Sequence, residues 1–259
     1  MKTNQDYIIK YIFRAKTKNR VKIKSIYTME VRWYHDHIVL TFIVFFYLKG
    51  GNMIKKLIFD LDNTLIIWKD EYVQALKDTL RKYNINEDPD YVNNLIDCYE
   101  EYYDKYDKET MLNYINKNIK EKINMEFMND FLDAIGYMSE PNEDVINTLE
   151  YLSKKYELVV LTNWFTEAQT NRLKTAKINK YFKEIYGGED YIKPFKEAFL
   201  QAAGNTKLEE CIMIGDSYDI DIMGAYNTGI KPIFMNPKHK ENKNNFKEIE
   251  KLSDLKNIL

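Results

Sequence analysis

The sequence predicts an α/β fold built on a parallel sheet, with a helical block inserted after the first strand. Three observations lead there. From residue 157 onward, short apolar runs rich in Val and Ile alternate with amphipathic stretches, the pattern of strands joined by crossover helices. An earlier run of the same kind, "KKLIFD", is cut off from the others by a long stretch with no strand-like segment. Three of the strand-like runs end in carboxylates or small polar residues, an unusual use of buried strand ends.

Taken in order, "KKLIFD" (55–60) reads as a buried strand. Four helices follow: "WKDEYVQALKDTLRKY", "DYVNNLIDCYEEYYDKY", "KETMLNYINKNIKEKI" and "MEFMNDFLDAI". Their apolar residues recur three and four apart, as at Tyr72, Leu76, Leu80 and Tyr83. After Pro141 comes a further helix, "NEDVINTLEYLSKKY". Strands "ELVVLTN", "KEIYGG", "CIMIGD" and "KPIFM" then alternate with helices "TEAQTNRLKTA", "KPFKEAFLQAA" and "IDIMGAYNTG".

At 259 residues the chain accommodates one large domain or a domain with an insert. A hydrophobic fraction of 45% is ordinary for a globular protein, and a mean hydropathy of -0.53 argues against a polytopic membrane protein. Net charge is -2 with a pI near 6.0, which gives no basis for a nucleic-acid surface. Cys98 and Cys211 are far apart and in no metal spacing, so a reducing, cytoplasmic compartment is expected. Charge is unevenly spread: residues 1–52 hold ten Lys and Arg against three acidic residues, and the rest of the chain is acidic.

The polar strand ends are the functional signal. The first strand runs into Asp60 with Asp62 just beyond, the second into Thr162 and Asn163, and "CIMIGD" into Asp216, followed by Asp219 and Asp221. In open parallel sheets ligands bind outside the carboxyl ends of the strands. Carboxylates gathered at such an edge repel one another and raise each other's proton affinity. A hard divalent cation relieves this, and Mg²⁺ is typically held by one or two carboxylates together with substrate phosphate.

With "DLDNT" (60–64), the threonine of "LTN", the lysine of "IKP" and "GDSYDID" in this order, the sequence resembles the haloacid dehalogenase superfamily of aspartate-nucleophile phosphatases. The resemblance spans roughly Met53 to Pro237. It implies a Rossmann-like core formed by residues 53–66 and 138–259, and a helical cap of the C1 type at 67–137. It further implies that Asp60 is the nucleophile, that Asp62 protonates the leaving oxygen and then activates water, and that Thr162, Asn163 and Lys193 hold the phosphoryl group. Mg²⁺ would be bound by Asp60, Asp216 and the backbone carbonyl of Asp62, with Asp221 supporting the metal waters or Lys193. The implied substrate is a small phosphorylated metabolite, such as a nucleotide or sugar phosphate, with no nucleic-acid or membrane partner. "LTNWFTEAQTNRLKTAKI" and "GGEDYIKPFKEAF" are most similar to the pyrimidine nucleotidase branch. Alternatives on the same fold are a phosphomutase, a 2-haloacid dehalogenase or a non-catalytic interaction protein. Asp62 argues against the dehalogenase, whose chemistry needs no leaving-group acid, and the complete motif set argues against loss of catalysis.

Other residues have plainer readings. Asp219 is expected to be a solvent or capping residue and Ser217 a helix cap. Tyr99, Tyr102, Tyr103 and Tyr106 read as helix packing or surface. His35 and His37 have a metal-like spacing with no further ligands nearby. Residues 1–52 read as an upstream extension foreign to the catalytic protein, the alternative being a genuine membrane-associating extension. Their apolar run, "HIVLTFIVFFYL", falls short of the roughly 20 residues that span a bilayer. The Lys-Gly-Gly-Asn before Met53 also back-translates, with AT-rich codons, to a purine-rich ribosome-binding sequence.

Overall fold

The buried strands send alternate residues to opposite faces of one sheet, and both faces are covered. In the computed structural model, which describes residues 7–17, 20–34, 37–39, 53–67 and 71–259, the chain forms two compact units, Met1–Met53 and Ile54–Leu259. The first unit is an antiparallel sheet of β1 (Tyr7–Thr17), β2 (Arg20–Tyr34) and β3 (His37–Val39), in that order. His35 and most of the apolar run at 38–49 lie outside the described residues.

The second unit holds the parallel sheet. Its strands are β4 (Lys56–Phe59), β5 (Glu157–Leu161), β6 (Glu184–Tyr186), β7 (Cys211–Gly215), β8 (Lys231–Met235) and β9 (Lys247–Ile249). Their spatial order is β6-β5-β4-β7-β8-β9, so the strand order reverses at β4. That reversal opens a crevice at the carboxyl ends of β4, β5 and β7. Leu57, Phe59, Leu158, Val160, Ile212 and Ile214 face one helical layer with Leu149, Leu152 and Leu173. Ile58, Val159, Leu161 and Met213 face the other, against Ala198, Phe199 and Ala202. The period of two gives each strand two apolar faces, which explains the unbroken apolar runs.

Helices α5 (Glu143–Ser153), α6 (Thr166–Thr175), α7 (Lys196–Ala203) and α8 (Gly224–Thr228) flank the sheet, and a π-helical segment, Tyr218–Met223, precedes α8. Between β4 and α5 stand α1 (Glu71–Lys82), α2 (Pro89–Tyr102), α3 (Lys108–Asn118) and α4 (Met125–Gly136). Asp88, Asp107, Asn124 and Asn142 each accept backbone N–H groups at the starts of α2, α3, α4 and α5. These helices enclose a core of their own, which Trp164, Phe165 and Ala168 complete from the segment after β5. Among the described residues no helix is long and apolar enough to cross a membrane.

Several elements depart from the expected pattern. Residues 68–70, expected to open the first cap helix, lie outside the described residues. α2 stops at Tyr102 rather than continuing to Tyr106, because Tyr103 turns extended and Tyr106 donates its backbone N–H to Gly188 at 2.8 Å. α3 stops at Asn118, since the Asn116 side chain brackets the backbone of Ile123 at 2.8 and 2.9 Å. α7 starts at Lys196, after the Lys193–Pro194 peptide. β9 was not expected: "KEI" is a short, mostly charged edge strand with no apolar alternation to reveal it.

Candidate active site

Asp60 directly follows β4, and its N–H still donates to the Ile214 carbonyl at 2.9 Å, so the strand ladder itself aims the carboxylate into the crevice. The chain then turns sharply, with Leu65 and Ile66 donating to the Leu61 carbonyl and Asn63 at a φ of 56°. Asparagine tolerates that left-handed conformation better than most residues. The turn brings Asp62 back beside Asp60.

Lys193 joins the strand ends. Its side chain is buried, and Nζ lies 2.6 Å from Asp60 Oδ1 and 2.6 Å from Asp221 Oδ1. Burial alone would push the ammonium pKa down, but Asp221 and Asp60 outweigh it and raise it. The backbone of Lys193 is clamped in turn by Asn163, which accepts its N–H at 2.8 Å and donates to its carbonyl at 2.8 Å. The Asn163 side chain thus fixes the lysine.

Asp216 follows β7 and is half-buried. Burial and then Asp60 raise its pKa, with Lys240 opposing; the Lys240 Nζ lies 3.4 Å from Asp216 Oδ2. Asp221 is buried, with Oδ2 accepting the Ser217 N–H at 3.0 Å. Burial raises its pKa against the pull of Lys193, and Asp60 adds to the rise. A Cβ at Gly215 would stand 2.4 Å from the Asp221 carboxylate, so the glycine is what lets the motif fold back on its strand. Asp219 is exposed, and Ser217 sits at the start of the π-helical segment without a side-chain capping bond.

Carboxylate oxygens of Asp60, Asp216 and Asp221 lie within 4.8 Å of one another, close enough to surround one cation. Both oxygens of Asp221 are engaged, by Lys193 and Ser217, which makes Asp221 an anchor and Asp60 and Asp216 the candidate ligands. An all-oxygen, acidic donor set fits a hard cation such as Mg²⁺. The carboxylate of Asp62 lies outside this group. It pairs instead with Arg172, whose Nη1 stands 2.7 Å from Asp62 Oδ1. Burial raises the Asp62 pKa; Arg172 opposes the rise and Asp60 adds to it.

Thr162 is buried at the end of β5, and its Oγ1 accepts from Gln169 Nε2 at 2.9 Å. Gln169 and Arg172 were missed from the sequence, yet a signal was present. Ala168, Leu173 and Ala176 mark the buried face of α6, and the polar pair falls on that same face.

Comparison with known proteins agrees with this architecture. Residues 57–235 match the family of haloacid dehalogenase-like hydrolases. Pyrimidine 5'-nucleotidase PynA of Streptococcus pneumoniae is 28% identical over 215 residues, covering 73% of this chain and 86% of that protein. The magnesium-bound HAD-hydrolase YfnB of Bacillus subtilis superposes with a TM-score of 0.61 at 23% identity, over 80% of this chain and 99% of that one. The L-2-haloacid dehalogenase of Xanthobacter autotrophicus superposes with a TM-score of 0.58 at 13% identity, over 80% of this chain and 98% of that one, a likeness of fold alone. With its parallel sheet, its inserted helices and a family match running from β4 through β8, the chain belongs to the haloacid dehalogenase-like hydrolases.

Proposed function

We propose that the protein is a Mg²⁺-dependent phosphomonoesterase acting on a small phosphorylated metabolite, a nucleotide or sugar phosphate. The observation that carries this reading is the second carboxyl, Asp62. It stands beside the candidate nucleophile, outside the cation-binding group, with its proton affinity raised by burial. An acid so placed has a use when an alkoxide must leave and little use when a halide does. The dehalogenase-like neighbours therefore do not set the activity.

In this mechanism Asp60 attacks phosphorus through the carboxylate oxygen that Lys193 does not hold. The bond from phosphorus to the leaving oxygen breaks, and Asp62 gives that oxygen its proton. An aspartyl phosphate remains. Asp62, now a carboxylate, takes a proton from water as the water attacks phosphorus, and Asp60 is released with inorganic phosphate. Lys193 and the Thr162 hydroxyl hold the transferring group, donating where negative charge accumulates. Asp60, Asp216 and the Asp62 backbone carbonyl would hold Mg²⁺, which would supply positive charge to the phosphoryl oxygens. The nucleotidase name of a relative supports the nucleotide option.

The test is phosphate release from p-nitrophenyl phosphate and from a panel of nucleotides and sugar phosphates, with Mg²⁺ and with EDTA, beside halide release from 2-chloropropionate. Mg²⁺-dependent phosphate release is expected. Metal-independent halide release without phosphatase activity overturns the reading.

A further inference from the structure

We propose that Arg172 is a positioning residue which sets the direction of hydrogen bonding at the site, holding the Asp62 carboxyl and, through Gln169, turning the Thr162 hydroxyl into a donor. The proposal rests on the phosphatase reading above. Arg172 lies on α6 with its side chain wholly buried. Its Nη1 stands 2.7 Å from Asp62 Oδ1 and donates to Gln169 Oε1 at 3.0 Å. Its Nε donates to Ser139 Oγ at 3.2 Å, in the segment that joins the cap to α5. Gln169 Nε2 donates in turn to Thr162 Oγ1 at 2.9 Å.

The polarity of this chain follows from its first member. A guanidinium has donors and no acceptor. The Gln169 oxygen must therefore face Arg172, and its amide NH₂ must face Thr162. A hydroxyl that accepts from an amide keeps its single proton for another acceptor. Phosphoryl oxygens are acceptors, so the arrangement leaves Thr162 ready to donate to one. At the other end the same guanidinium fixes the carboxyl that is to serve as acid and then base. Two groups of opposite duty, one giving a hydrogen bond and one managing a proton, are thus oriented by one cation.

Stability alone does not account for the arginine. Apart from Gln169, the face it occupies is apolar, with Ala168, Leu173 and Ala176 buried on it. Buried ion pairs are often no more stabilising than well-packed apolar residues of similar volume. An aliphatic residue would satisfy packing and leave Asp62 and Gln169 without direction.

The experiment is steady-state kinetics of Arg172→Met, Gln169→Glu, Asp62→Asn and the Arg172→Met/Asp62→Asn double variant, with folding checked by thermal melting. Substrates are p-nitrophenyl phosphate, which needs little acid help, and a simple alkyl phosphate, which needs much. Arg172→Met is expected to lower kcat on the alkyl phosphate by about tenfold or more, the worth of one charge-assisted hydrogen bond. Its loss on p-nitrophenyl phosphate should be smaller, and it should add little once Asp62 is Asn. Gln169→Glu keeps the shape and still accepts from Arg172, but it takes the Thr162 proton. It should raise KM and the inhibition constant of inorganic phosphate by about tenfold. This near-isosteric variant decides the case if Arg172→Met does not fold. Equal losses on both substrates in Arg172→Met, an undiminished Arg172→Met effect in the Asp62→Asn background, or unchanged phosphate inhibition in Gln169→Glu overturns the proposal. If Asp62→Asn itself shows no leaving-group dependence, the acid–base role of Asp62 fails, and this proposal with it.

Discussion

Nζ of Lys193 stands 2.6 Å from Oδ1 of Asp60, joining a residue that precedes α7 to the end of β4. The lysine is the one cation buried among Asp60, Asp216 and Asp221 in the described residues. Removing it leaves like charges facing one another. Lys193→Met should abolish most turnover and cost about 3 to 5 kcal/mol of stability, as removal of one partner of a buried pair does. Saturating Mg²⁺ should restore part of the lost stability by supplying positive charge to the same carboxylates. Urea melts with and without the ion check both statements.

Asp60→Asn should reduce kcat by at least about a thousandfold, because an amide does not form the acyl phosphate. Folding should be preserved. The substitution relieves repulsion with Asp216 and Asp221, and Lys193 keeps its contact with Asp221. Single-turnover kinetics and a thermal melt read the two effects separately.

The pKa directions give a pH-dependent response to the cation. Asp62 and Asp216 are raised above the ordinary carboxylate value, so the metal-free folded state holds more protons there than the unfolded chain does. Their contribution to stability is present at low pH and declines as pH rises through the folded values. Mg²⁺ binds the deprotonated form. The increase in Tm on adding Mg²⁺ should therefore be larger at pH 7.5 than at pH 5, and thermal melts with and without the ion at the two pH values measure it. An equal increase at both values would argue against a carboxylate-held cation.

The cap meets the core at Gly188, where an added Cβ would lie 2.2 Å from the Tyr106 ring. Gly188→Ala should push the Tyr106 loop away and break its 2.8 Å backbone bond. KM should rise and the Tyr106 amide should exchange faster, while exchange within β4 and β7 stays unchanged. Vanadate should slow exchange in the wild-type connectors at 65–68 and 136–141 as the cap closes over the site.

Every candidate site group lies in the Ile54–Leu259 unit. A chain started at Met53 should therefore keep kcat and KM within about twofold of the full chain, the scatter expected for changes remote from a site. Phosphate-release assays on the two chains decide this.

The parallel sheet was legible because β4, β5 and β7 are unbroken apolar runs that stop at polar residues. The strand ends named Asp60, Thr162 and Asp216 for the same reason. Arg172 and Gln169 escaped because an arginine on a helix ordinarily reads as surface, although both share the helical face of Ala168 and Leu173 that α6 turns inward. β9 escaped because edge pairing needs backbone rather than apolar side chains. The ends of α2 and α3 are set by distant partners, Gly188 for one and the Asn116 bracket on Ile123 for the other. No local pattern records such contacts.

The aromatic cluster has a consequence for taking this enzyme apart. Trp164 stacks on Tyr72 at 4.8 Å and meets Tyr106 edge-on at 5.2 Å, yet it follows Asn163 on the sheet's own strand end. The helical insert is therefore continuous in sequence but not self-sufficient in volume. Transplanting residues 67–137 alone into a relative would carry a socket without its plug. A chimera that also carries 164–168 keeps the interior whole, so the natural unit of exchange is two separated stretches of chain.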